Sequence, residues 1–110
     1  MQRQLLTDFE LMLLLGILRA GEDSYGIRIA QEIQQITGRS ALMGAVYATL
    51  DRLERNGLVA STIGDPTPQR GGRAKRFFEV TPRGLRAVKQ TRQALIALWT
   101  DLPQWKERHT

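Results

Sequence analysis

The segment between Ser40 and Arg83 most constrains the fold of this chain. It contains an amphipathic helix that stops at a glycine, a strand, a basic glycine-rich loop and a second strand. The helix is narrow enough for the major groove of DNA. The loop region carries four cations with no acid among them: Arg70, Arg73, Lys75 and Arg76. Because nucleic-acid binders combine a groove-sized helix with a basic arm, this order of elements predicts a winged helix.

Length and composition are those of one globular domain. The chain has 110 residues, of which 42% are hydrophobic and 25% charged, so wholesale disorder is not expected. The absence of cysteine excludes disulfides and thiolate metal sites. The apolar run 11–18 is too short to span a bilayer and follows acidic residues, unlike a signal peptide. We therefore expect a cytoplasmic protein that does not contact the membrane.

The basic residues are concentrated in the second half of the chain. Residues 1–60 contain six Arg or Lys and seven Asp or Glu, whereas residues 61–110 contain ten and four, which gives the net charge of +5. Solubility alone could account for such an excess. Its concentration around a glycine-rich hairpin favours a polyanionic partner.

Capping signals and apolar spacing predict three helices before the hairpin. Thr7 and Glu10 form a capping box that opens the first helix, over residues 7–20, which is apolar nearly all round and is expected to be buried. The second helix is predicted over residues 24–37 with Ser24 as its N-cap. The third spans residues 42–56, with an inner stripe formed by Val46, Leu50 and Leu53.

The remaining elements are a hairpin and a long helix. Strands are predicted at 58–63 and 76–80, joined by the loop 64–74. Thr81 and Pro82 then open a helix that is expected to end near Leu102, before Pro103. We therefore predict a mainly α fold with a small β-hairpin, a winged helix-turn-helix over residues 1–81. Residues 82–110 add a C-terminal helix and tail within one structural unit.

The chain lacks the residues that enzymes use. Its only histidine, His109, is next to the last residue, and no cysteine or paired carboxylate suggests a nucleophile or an acid–base pair. The glycine pair in the basic loop is followed by Arg76 and a strand rather than by the Ser or Thr and the helix of a phosphate-binding loop. We expect no catalysis, no metal and no cofactor.

Two surfaces are predicted to contact DNA. Small residues on the third helix would let its backbone approach a duplex, and the Tyr47 hydroxyl could meet a phosphate, although Tyr47 could also be an ordinary half-buried aromatic. Two arginines of this helix could instead form surface ion pairs with Asp51 and Glu54. The hairpin tip would contact the backbone or the minor groove. The residues assigned to these two surfaces are Gly44, Ala45, Tyr47, Ala48, Arg52, Arg55, Arg70, Gly71, Gly72, Arg73 and Lys75.

The last helix carries a stripe that is typical of helix pairing. Its members, at alternating spacings of three and four, are Leu85, Val88, Arg92, Leu95, Trp99 and Leu102. The stripe could simply cover the domain's own core. Because the helix is longer than a core of this size requires, we predict that its distal half pairs with a second copy. Trp99 would then meet its symmetry mate and stack on a flat aromatic effector.

Three strings closely resemble the PadR family of bacterial winged-helix transcriptional regulators: YGIRIAQEI, MGAVYATLDRLERNGLV and RGGRAKRFFEVTPRG. The resemblance implies a homodimeric repressor that binds double-stranded DNA at an inverted repeat. The third helix would enter the major groove, the wing would contact the flanking backbone, and Tyr25 would belong to the DNA-binding set. The single helix after the wing resembles shorter members, which dimerise through it and helix one. Many members release DNA on binding a small, often aromatic, compound.

The chain departs from the family pattern at the start of the third helix. Leu42-Met43 stands where the family often has Ser or Thr followed by Pro, and Ala45 replaces a frequent Thr. Ser40 could then serve as the cap and as a DNA contact. The alternative function is a winged helix that binds another protein without sequence-specific DNA binding, which would not need the basic wing.

Overall fold

A computed structural model describes residues 5–64 and 74–103 of the chain. In this part, four α-helices and a two-stranded antiparallel sheet follow one another in the predicted order. Their bounds are α1 Asp8–Ala20, α2 Gly26–Thr37, α3 Met43–Arg55, β1 Val59–Ile63, β2 Arg76–Val80 and α4 Pro82–Trp99. A short 3₁₀ turn, Gly21–Asp23, links α1 to α2. The predicted mainly helical winged helix-turn-helix is confirmed.

The core lies where α1, α2 and α3 meet the sheet. Leu13 and Leu14 of α1 and Ile29 of α2 are fully buried, and Phe78 closes the core from β2. The inner stripe predicted for α3 is confirmed, because Val46, Leu50 and Leu53 are each 0% exposed. Burying one such side chain stabilises the fold by roughly 1.5–3 kcal/mol before the loss of conformational entropy.

Helix α1 begins as predicted but is buried on one side only. The Thr7 hydroxyl accepts from the Glu10 amide at 3.2 Å, and the Glu10 carboxylate accepts from the Thr7 amide at 2.8 Å. The expectation that this helix is buried holds for the face with Leu13, Leu14 and Ile17, whereas Leu15 and Leu18 are 41% and 48% exposed. The core of this small domain covers a single face of the helix.

Helices α2 and α3 do not use the predicted caps. The N-cap of α2 is Tyr25 rather than Ser24. Ser24 is buried, its hydroxyl donates to the Phe78 carbonyl, and its own carbonyl accepts from the Phe78 amide at 2.8 Å. The N-cap of α3 is Leu42, without a side-chain hydrogen bond, and the exposed Ser40 lies two residues earlier. In both helices the prediction of a serine cap was wrong.

The hairpin pairs its two strands residue by residue. Val59 lies opposite Val80 and Ile63 opposite Arg76, and the Gly64 amide donates to the Lys75 carbonyl at 2.7 Å. The predicted wing-tip residues Arg70, Gly71, Gly72 and Arg73 lie outside the described residues.

Helix α4 starts on the domain and continues past it. The Thr81 hydroxyl accepts from the Gly84 amide at 3.0 Å, with Pro82 in the first turn as predicted. Its buried residues are Gly84, Ala87 and Thr91, and the Thr91 hydroxyl accepts from the Leu6 amide at 3.0 Å. The helix ends at Trp99 instead of the expected Leu102. None of the described helices is both long and apolar enough to cross a membrane.

Candidate nucleic-acid interface

The outer face of α3 is uncovered and carries small side chains. Gly44, Ala45 and Ala48 are exposed, opposite the buried stripe of the same helix. A methyl group added at Gly44 would meet nothing within 4 Å. The first two turns of α3 therefore present almost bare backbone, which another macromolecule could approach closely.

Tyr47 is held in place by the start of α2. Its side chain is 37% exposed, and its ring lies directly against Gly26, where an added Cβ would be 2.5 Å from Tyr47 Cζ and would overlap the hydroxyl. The ring therefore packs on its own domain while part of the side chain stays accessible. This geometry is that of a half-buried aromatic, and the contact of its hydroxyl with a phosphate stays a prediction.

Arg52 is anchored to α1 rather than to its neighbours on α3. Its guanidinium lies 3.2 Å from a Glu10 carboxylate oxygen, and its side chain is 48% exposed. Burial alone would raise the pKa of Glu10, but hydrogen bonds from the Thr7 amide and from Arg52 lower it below the ordinary value. The suggested pairing of Arg52 with Asp51 or Glu54 is wrong, because those acids have another partner.

That partner is Arg76, at the start of β2. Its guanidinium donates to Asp51 at 2.8 Å, to Ser61 at 3.1 Å and to Glu54. Glu54 also accepts from the Ser61 amide at 3.1 Å. We call these four residues the α3–wing clamp. It ties both strands of the hairpin to α3, and the charge of one of the four wing cations is compensated within the fold.

The clamp favours the charged state of its members. The Ser61 hydroxyl and the Arg76 guanidinium hold the pKa of Glu54 below its usual range. Burial acts to lower the pKa of Arg76, yet Asp51 and Glu54 raise it above the ordinary value. This cluster was not predicted from the sequence, because its only local signal is the pair of acids three residues apart on one helix face.

Lys75 and Tyr25 meet at the base of the wing. The Lys75 ammonium lies 4.1 Å from the centre of the Tyr25 ring, a geometry that favours a cation over an aromatic face. The Tyr25 ring packs edge-on against Phe77, with ring centres 5.7 Å apart. Two residues predicted to contact DNA, far apart in sequence, therefore lie side by side next to the start of α2.

The stripe predicted on α4 is mostly exposed. Leu85, Leu95 and Trp99 are 38%, 46% and 64% exposed, and Val88 is partly buried against the core. Arg92 and Leu102 are also exposed. The stripe is therefore not the core-facing side of the helix in this chain, and its assignment to dimerisation stays a prediction.

A further cleft, not expected from the sequence, lies between α1 and α2. Its volume is about 390 Å³, and its mainly apolar lining includes Leu15, Leu18 and Ile36. At its edge Glu32 forms ion pairs with Arg19 at 3.1 Å and Arg28 at 2.8 Å. Although burial would raise the pKa of Glu32, the two arginines lower it.

Chemically, these surfaces are suited to binding another molecule. No group of three or more His, Cys, Asp or Glu side chains that could hold a metal occurs in residues 5–64 and 74–103. An uncovered helix with a basic hairpin beside it defines a winged helix-turn-helix protein of the kind that regulates transcription.

Comparison with known proteins agrees with this class. Residues 14–90 match the profile of the transcriptional regulator PadR-like family. The chain is 36% identical over 78 residues to transcriptional regulator Rv3488 of Mycobacterium tuberculosis, a match that covers 69% of this chain and 66% of that protein, just under two thirds of its length. This chain belongs to the PadR-like family of transcriptional regulators.

Solved structures share the fold at lower identity. A transcriptional regulator from Clostridium thermocellum superimposes with a TM-score of 0.68 at 24% identity, covering 81% of this chain and 83% of that one. A PadR-like regulator from Bacillus cereus gives 0.67 at 19% identity, covering 89% and 93%. At these identities the likeness concerns the fold alone.

Proposed function

We propose that this chain is a DNA-binding transcriptional repressor that acts as a homodimer on an inverted repeat. The observation that carries the proposal is the uncovered outer face of α3, with its small first-turn residues and the basic hairpin clamped beside it. In this arrangement α3 enters a major groove while the wing follows the adjacent backbone.

The phosphate contacts are expected on both sides of α3. No side chain caps its N-terminus, so its first amide groups are available to a phosphate. Lys75 beside Tyr25 offers a cation at the wing base, and Arg70 and Arg73 extend the basic arm. These contacts position the protein without reading sequence.

Dimerisation is expected to use the part of α4 beyond the domain. From Arg92 to Trp99 the helix carries two large apolar side chains of the predicted stripe, Leu95 and Trp99, which are 46% and 64% exposed. The apolar cleft between α1 and α2 is equally uncovered. The proposal requires that a two-fold dimer burying these surfaces hold its two α3 helices on successive turns of the duplex, about 34 Å apart.

The proposal includes a small aromatic effector that binds at the dimer interface. The exposed indole of Trp99, next to its symmetry mate, would form a slot for a flat compound that binds by stacking. Binding there would change the spacing of the two α3 helices and so release the operator.

The proposal is tested by fluorescence anisotropy with labelled duplex from the region upstream of the protein's own gene, at two salt concentrations. We expect saturable binding that weakens steeply with salt and exceeds binding to a scrambled duplex of equal composition. A promoter–reporter assay with and without the protein checks repression. A winged helix that only binds other proteins would not discriminate between the two duplexes.

A further inference from the structure

The first two turns of α3 offer almost no polar side chain to a groove. Leu42 is 82% exposed, more than any other large apolar side chain in the described chain. It is followed on the exposed face by Gly44, Ala45 and Ala48. The hydroxyl of Tyr47 is the only polar side-chain group at an exposed position from 42 to 48.

The usual bidentate readers of bases are missing from this surface. Guanine is commonly read by Arg or Lys and adenine by Asn or Gln, and residues 42–50 contain none of these four types. The next polar residues are already engaged: Asp51 binds Arg76 and Arg52 binds Glu10. Bidentate hydrogen-bonded readout by Arg, Lys, Asn or Gln is therefore not available to the leading half of α3.

One feature of the major groove suits such a surface. Thymine alone among the four DNA bases carries a methyl group there, at C5, and apolar side chains contact it. Building on the proposed DNA-binding function, we infer that Leu42, with Ala45 and Ala48 behind it, recognises thymine methyl groups. Leu42 is then the principal specificity-determining residue of α3, and the operator half-site carries T·A pairs where α3 begins.

The experiment first selects preferred duplexes from a random pool with the wild-type protein. Each dT of the winning sequence is then replaced singly by dU, which removes the methyl group and leaves base pairing intact. At one or two positions in each half-site we expect roughly three- to fivefold weaker binding, about the effect of one methyl-sized apolar group. A 5-methylcytosine·G pair at that position should bind more tightly than C·G.

The matched variant is Leu42→Ala. Because the side chain is 82% exposed, we expect the melting temperature to stay that of the wild type, while the variant no longer prefers dT over dU at the position that Leu42 contacts. If dU has no effect at any position, or if Leu42→Ala keeps the full dT preference, the inference is overturned and the proposed function stands. If no sequence is enriched at all, the DNA-binding proposal itself fails.

Discussion

At the scale of single residues, Gly26 and Gly44 differ in the space around them. Gly26 lies under the Tyr47 ring, and any Cβ there would collide with it. Gly44 has open space, so nothing inside the domain requires a glycine. A glycine in a helix costs stability relative to alanine. A glycine at position 44 therefore favours a partner that comes close to the backbone of α3.

The first prediction separates stability from binding at Gly44. Gly44→Ala should raise the free energy of unfolding by about 0.5–1 kcal/mol, since alanine favours the helix, while DNA affinity falls because the methyl group keeps the duplex away. Urea denaturation and anisotropy measure the two effects. Gly26→Ala is the matched control and should lose stability as Tyr47 is displaced. Unchanged DNA affinity of Gly44→Ala would argue against close approach at this turn.

The second prediction concerns the hydroxyl of Tyr47. Tyr47→Phe keeps the ring packed on Gly26 and removes one potential phosphate contact, so operator affinity should drop by about 0.5–1.5 kcal/mol. The melting temperature should hardly change. Loss of thermal stability with DNA affinity intact would instead assign the hydroxyl to the fold.

At the scale of elements, the α3–wing clamp couples the hairpin to α3. Because the pKa of Glu54 is lowered in the folded protein, its carboxylate stabilises the fold above the unfolded pKa of about 4.3, and this contribution is lost as the pH falls through the folded value. Acid should therefore loosen the hairpin from α3.

The third prediction follows from the lowered pKa of Glu54. Glu54→Gln should reduce the free energy of unfolding at pH 7 by about 0.5–1 kcal/mol, the range of a partly exposed ion pair. It should also reduce the further loss of unfolding free energy between pH 7 and pH 3, because the contribution of the carboxylate is lost below the unfolded pKa of about 4.3. Urea denaturation at both pH values measures the difference. Arg55→Gln, also on α3 but outside the clamp, is the control. Equal acid sensitivity of wild type and Glu54→Gln would contradict the role assigned to the clamp.

The fourth prediction concerns the basic arm. Replacing Arg70, Arg73 and Lys75 with Ala should weaken binding to operator and random duplex alike, because the arm meets phosphates. The slope of log K against log salt should become shallower by up to roughly one unit for each phosphate that the arm no longer neutralises. A slope equal to that of the wild type would remove the wing from the interface.

Whether a contact could be predicted from the sequence depends on how far apart its two residues lie along the chain. The caps at Thr7 and Thr81 are closed by residues three positions away, and their local patterns predicted both helix starts. Ser24 has the same local signal, yet its hydroxyl bonds to Phe78, 54 residues later. The acids of α3 likewise pair with Arg76 across the fold. Such partners depend on tertiary packing, which local sequence patterns do not reveal.

The same distinction between local patterns and long-range contacts applies to the candidate interface. The helical period was enough to place Gly44, Ala45 and Ala48 on the outer face of α3. The helical period could not predict that Lys75 lies over Tyr25, because these residues meet only once the hairpin folds back on α2.

At the scale of the whole molecule, α4 is longer than its own domain can cover. Its last buried residue is Thr91, and the eight residues that follow extend the helix by about 12 Å. Most of the apolar surface on this extension is exposed. A large exposed apolar surface on a protein of this size favours a partner, and a second copy offers the same surface in return.

The fifth prediction tests that partner at Trp99. Trp99→Ala should weaken the dimer or abolish the response to a stacking aromatic compound, because it removes the largest apolar side chain of the stripe. Sedimentation velocity at micromolar concentration measures the first effect, and operator release by a panel of flat aromatic compounds measures the second.

Leu98→Ala is the matched control, since Leu98 is 72% exposed but lies outside the stripe. DNA binding by the variant should keep the salt dependence of the wing contacts at concentrations where the dimer persists. A wild-type protein that sediments as a monomer, or a Leu98→Ala variant that dissociates as readily as Trp99→Ala, would contradict pairing along this stripe.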